Sequence, residues 1–217
     1  MQQRSTRTLY NYWNEIRGAR SAPDRREIDP TRIRDALAYT FILQSDDGIE
    51  FNFRLAGSHL CAGYCRELKT RSFSSLWSSK DQDAIDTLVR AVTEDHAVAL
   101  VTFQGLTDQG ESVTFEMALL PLRHNGVTTS RMMGTMTASD TPYWLGIHPI
   151  VDQRITGLRL IWPDDQSNSI RHEFSTSMVE EMAANARAAT APIHANVAGL
   201  SARRYAHLAV IDGGKMG

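Results

Sequence analysis

Leu9, Tyr12, Trp13 and Ile16 recur at helical spacing with charged residues between them, and Gly18 ends the pattern. This predicts an amphipathic helix at the start of the chain. A polar linker through Pro23, Arg25 and Arg26 follows. Asp29 followed by Pro30 is a helix-start signature, because Asp caps free N–H groups and the fixed φ of proline suits the first helical position. The short helix it predicts covers residues 31–37, with Ile33 and Leu37 on one side. The period then changes from helical to alternating. Residues 39–44 and 50–56 flank the turn Asp46-Asp47-Gly48, and Phe51, Phe53 and Leu55 share one face; two such runs predict a hairpin. Short helices broken at Gly63 and at the serines around Phe73 lead to a longer helix over 81–93, where Ile85, Leu88, Val89 and Val92 share a face. Three more strands follow at 98–104, 112–120 and 131–138. In the second, Val113, Phe115, Met117 and Leu119 alternate with polar residues that include Glu116. Residues 158–162 read as a further strand or a docking segment.

Helices, a hairpin, more helices and three antiparallel strands in that order predict an α+β domain, a five-stranded antiparallel sheet with helices over one face. The expected organisation is a flanking helix and linker over 1–28, the domain over 29–162, and a tail over 163–217 that is partly disordered or docked. Within the tail, residues 178–189 could form a helix and 202–211 a strand. The N-terminal helix is expected either to cap the sheet or to pair with a second subunit.

Composition narrows the function classes. Apolar residues make up 42% and charged residues 22% of 217, enough for a globular core. A net charge of −2 gives no overall attraction to nucleic acid or acidic membrane. No apolar run reaches the roughly 20 residues of a membrane-spanning helix, and the polar start leads into no apolar signal core. A cytoplasmic protein is expected. Cys61 and Cys65 form no disulfide framework and read as reduced thiols.

Local motifs carry a resemblance. Leu9-Tyr10-Asn11-Tyr12-Trp13 with Arg17, then Pro23, Arg25, Glu27-Ile28-Asp29-Pro30 and Ile33, resemble the opening signature of the small stand-alone PAS-domain proteins of alphaproteobacteria, a family formerly described as a domain of unknown function. Phe53-Arg54-Leu55-Ala56-Gly57, Arg66-Glu67-Leu68, Phe73 and Leu76-Trp77 continue it, and residues 207–214 look like its closing motif. The resemblance implies a PAS sheet with a pocket between helices and inner face. PAS modules sense small molecules, redox state or light, or dock onto other proteins, and the resemblance brings no catalytic residues. Phe53, Leu55, Tyr64, Leu88, Val92, Phe115, Met117 and Leu119 should face the pocket, with an apolar ligand suited to such a lining. Periodicity does not distinguish that pocket from a filled core.

Other candidate chemistry is thinner. Residues 62–69 resemble the flavin (FMN) photosensor motif in Cys65, Arg66 and Leu68, but Tyr64, Glu67 and Lys69 replace its Asn, Phe and Gln. His59, Cys61 and Cys65 offer three soft ligands where structural zinc needs four. Haem-binding PAS domains use a histidine on the long helix, and His96 falls just beyond it. No cofactor and no metal are therefore expected. The many arginines between Arg4 and Arg34 form either a docking surface for an acidic or phosphate-bearing partner, or a solvated face with internal ion pairs. With no output domain in view, the expected function is a sensory or regulatory module acting through a protein partner, as a homodimer through its N-terminal helix. The competing readings are a small enzyme with an acid–base site in the sheet cup, and a DNA-binding regulator. No acidic residue falls on a predicted inner strand face, and no helix-turn-helix is recognisable.

Overall fold

The computed structural model describes residues 1–163, apart from 125 and 127–129. The elements expected at 178–189 and 202–211 lie outside these residues. The amphipathic start forms helix α1 (Arg4–Arg17), ended by Gly18 at φ 57°, a left-handed conformation that glycine adopts without strain. In the linker, Asp24 and Glu27 form a reciprocal capping box around a single 3-10 turn. Asp29 caps Thr31 as expected, but the helix over 31–37 does not form. In its place 3-10 turns at Pro30–Ile33 and Leu37–Tyr39 steer the chain into the sheet. Ile33 is buried, whereas Leu37 is 37% exposed, because the tighter turn brings only one of them inward.

The sheet comprises β1 (Thr40–Gln44), β2 (Asn52–Ala56), β3 (Val98–Thr107), β4 (Ser112–Pro121), β5 (Arg131–Ala138) and β6 (Ile150–Ile161). All pairings are antiparallel, in the order β2-β1-β5-β4-β3-β6. The chain between β2 and β3 carries α2 (Ser58–Gly63) and α3 (Gln82–Thr93) over the inner face. The outer face packs against α1, where Leu9, Tyr12 and Trp13 meet Val98, Leu120, Leu122 and Met133. Helices therefore cover both faces rather than one.

Three features tie α1 down. The Trp13 indole N–H donates to the Pro121 carbonyl at 2.8 Å. The hydroxyls of Ser5 and Thr137 are 2.5 Å apart. The backbone N–H groups of Gln2 and Gln3 donate to the Glu116 carboxylate at 2.6 and 3.0 Å, an anion set where the helix dipole favours one. The apolar stripe of α1 is thus used by its own sheet. The arginines of the N-terminal stretch are partly spent internally too: Arg17 lies 5.4 Å over the Trp13 ring, Arg20 pairs with Glu27 at 2.9 Å, and Arg32 pairs with Glu15 at 2.9 Å.

The sixth strand extends well beyond the run at 158–162. Ile150, Gln153, Ile155, Leu158 and Leu160 lie opposite Thr107, Gly105, Phe103, Val101 and Ala99. Register shifts at Thr102/Phe103 and Leu106/Thr107 break strict alternation along β6, so its inward residues fall at spacings of three and two.

Candidate ligand cavity

Most of the inner face is filled. The rings of Phe41, Phe53, Phe73, Trp77, Phe103 and Phe115 form a continuous chain with centroids 5.0–6.1 Å apart, spacing at which aromatic pairs attract beyond simple burial. Leu88 and Val92 of α3 join this cluster with Met117 and Leu119. Phe53, Leu88, Val92, Met117 and Leu119 are thus packed core and do not line the open space. Leu55 does not face inward at all. Phe53 pairs with Leu43 and Leu55 with Ile42, which leaves Arg54 as an extra residue; the bulge turns Leu55 to the outer face, 46% exposed.

Open space begins where α2 meets the ends of β4, β5 and β6. A cavity of about 410 Å³ is lined by Leu60, Gly63 and Tyr64 from α2 and its cap, and by Phe115 of β4 and Met136 of β5. Leu145 and Gly146 of the β5–β6 connection and Ile150 of β6 complete the wall. Of the eight residues expected at a pocket, Tyr64 and Phe115 are therefore brought together here. Tyr39 and His59, stacked with centroids 4.5 Å apart, stand at the mouth with the exposed Ser139 and Asp140. A smaller groove of about 260 Å³ beside α1 shares Gln3, Tyr39 and Thr137 with it. The connection over 139–149 is fastened by His148 Nδ1, 2.7 Å from Glu111 Oε2 in the β3–β4 turn.

A Cβ placed on Gly63 would stand 3.7 Å from Ile150 and 3.8 Å from Leu145, ordinary contact distances. Glycine is not required there by crowding, and a larger side chain would grow into the cavity.

One wall residue, Tyr64, belongs to a buried polar pair. Gln153, wholly buried, donates its side-chain N–H to the Tyr64 hydroxyl, and that hydroxyl donates to the Met136 sulfur at 3.4 Å. Burial pushes the Tyr64 hydroxyl pKa far above the usual phenol range. Sequence reasoning missed Gln153, because a polar residue in an irregular stretch reads as solvent-facing. The one available signal was Gly105 near the end of β3, where a missing side chain marks close approach. Gly105 lies directly opposite Gln153, and a Cβ on it would meet the Phe115 ring at 2.8 Å.

Cys65 is exposed at φ 48°, and His96 sits in the turn before β3 at φ 58°; neither lines the cavity. The Cys61 thiol lies 3.7 Å from the Glu67 carboxylate and 4.0 Å from the Ala56 carbonyl. Among the described residues no three His, Cys, Asp or Glu side chains form a metal-binding group, and no helix is long and apolar enough to cross a membrane.

An antiparallel sheet crossed by helices that leave a cavity at one end defines a small α+β domain. The PAS domain family model matches residues 1–137, well over half of the sequence, and the chain belongs to that family of sensory modules. No curated protein matches it. Solved structures similar to it include a light-oxygen-voltage domain studied with a flavin analogue, at 12% identity and TM-score 0.41, over 52% of this chain and 85% of that one. The light-state aureochrome1 LOV domain has 14% identity and TM-score 0.39, over 51% and 88%. The PAS domain of a LuxR-family transcriptional regulator from Burkholderia thailandensis, in complex with ethanol, has 18% identity and TM-score 0.38, over 52% and 100%. The flavin analogue and the ethanol belong to those proteins.

Proposed function

We propose that this PAS domain senses a small, largely apolar molecule held in the cavity beside α2 and passes its occupancy to a protein partner. The cavity itself carries the reading: its volume of about 410 Å³ falls in the range of small-molecule sites, and its walls are mainly apolar. The second half rests on the connection that closes it. Leu145, Gly146 and Ile150 touch the open space, while Tyr143, Ile147 and Val151 beside them are exposed by 83, 67 and 59%. A ligand pressing on the inner side of this segment would alter the apolar side chains presented outward, where a partner could read them. A partner, or a second copy, is better served there than at α1, whose stripe is covered. An acid–base enzyme would need a carboxylate or histidine against an apolar wall, whereas His59 and Asp140 stand at the exposed rim. The proposal includes neither haem nor flavin.

Native mass spectrometry of the freshly purified full chain tests it. Extra mass that is lost on denaturation is expected, and Gly63→Leu, which fills the cavity, should remove it while the circular dichroism spectrum of the folded chain is unchanged. Bare protein from several expression hosts, together with no thermal response to small apolar probes, would reject ligand sensing at this site.

A further inference from the structure

The buried polar pair defines what kind of molecule the cavity selects, an inference that rests on the ligand reading above. The Tyr64 hydroxyl accepts from Gln153, so its own hydrogen must point to something else. What it finds is the Met136 thioether at 3.4 Å, a weak acceptor. Tyr64 and Met136 both line the cavity. The donor is therefore under-used at the one place where a ligand could serve it better. It also stays a donor, since burial holds the phenol protonated. Among the described residues, Gln153 Oε1 and the Trp77 indole Nε1 are buried without hydrogen-bond partners, so the core carries polar capacity that packing does not consume. Such groups are retained at a cost in stability.

Charge narrows the class further. Among the described residues neither lysine nor arginine lines the cavity, and Asp140 stands at its mouth, so these residues offer a carboxylate or phosphate no counter-ion. Leu60, Phe115, Leu145 and Ile150 supply apolar walls.

We propose that the cavity takes a neutral, mainly apolar molecule bearing one hydrogen-bond acceptor, of the ketone, ester or ether class, whose oxygen replaces the Met136 sulfur as acceptor of the Tyr64 hydroxyl. Gln153 is a positioning residue: by donating to the tyrosine oxygen it directs the O–H toward the ligand.

The test compares two molecules of one shape. Acetophenone and α-methylstyrene differ in a C=O replaced by C=CH2, and 2-heptanone with 2-methyl-1-heptene makes a second pair. Each is titrated into the full-length protein and followed by two-dimensional NMR. The wild type is expected to bind each ketone about tenfold more tightly than its alkene, the scale of one net hydrogen bond. Tyr64→Phe should bind both members of a pair equally. Because that variant strands the Gln153 N–H, Tyr64→Phe/Gln153→Leu removes both partners together and keeps the core free of a new orphan; it too should lose the preference. Equal binding by the wild type, or a preference that survives in the variants, overturns this inference while leaving an apolar ligand site in place. Binding of neither pair by the wild type removes the site and the inference together.

Discussion

A single hydrogen at Gly134 sets how closely β1, β4 and β5 approach. Gly134 lies between Phe41 and Leu119 in the register, and a Cβ there would stand 2.2 Å from the Ala118 carbonyl oxygen and 2.5 Å from the Phe41 ring. The first neighbour is backbone in the middle of a sheet, which cannot swing aside. Gly134→Ala should therefore cost about 1–3 kcal/mol despite its better strand propensity, as overpacking does, seen as a lower urea midpoint with an unchanged slope. An unchanged midpoint would mean that the sheet yields more easily than its packing implies. At this scale the sequence was readable for inward positions, since Phe53, Phe115, Met117 and Leu119 are buried where alternation put them. It was not readable for which inward residues meet open space. Phe115 and Met117 differ by one step along the same strand, yet only the first lines the cavity. That difference is made by α2 and the β5–β6 connection, which no pattern within β4 contains.

Elements show the same division between existence and destination. The stripe Leu9, Tyr12, Trp13 specified α1 from local spacing alone, but where α1 docks depends on the sheet's second face. Its trace in the sequence was the adjacent apolar pairs Leu119-Leu120 and Met132-Met133, which a one-sided sheet would not carry. In each pair one residue belongs to the inner cluster and the other to the cluster beneath α1. Trp13 is the centre of that second cluster, fully buried and bonded to the Pro121 carbonyl. Trp13→Ala should cost about 3–5 kcal/mol, with the backbone amides of α1 losing hydrogen-exchange protection before those of β4. If α1 instead keeps its protection and the global midpoint is unmoved, the helix is an accessory to the fold and not part of its cooperative unit.

For the whole molecule, the question is where the folding unit ends. The family model stops at residue 137, at the end of β5, whereas the structure adds β6 along the free edge of β3. Five strands were legible because their alternation is regular; β6 was mostly hidden because two register shifts scatter its inward residues. Those residues nonetheless complete both the core and the cavity: Ile150 and Leu158 join the inner cluster, and Gln153 holds Tyr64. A chain ending at residue 139 would lose them and expose the β3 edge, which carries a full ladder of unpaired N–H and C=O groups. Loss of Ile150 and Leu158 alone is worth roughly 4 kcal/mol, and at about 2–4 °C per kcal/mol for a domain of this size the melting temperature should fall by roughly 10 °C relative to a chain ending at residue 163. Light scattering should show the shorter chain associating through its bare edge. Equal melting temperatures for the two would make β6 an appendage to a complete five-stranded domain, and the cavity's sixth-strand wall would then have to be explained by something other than stability, with ligand binding as the first property to compare.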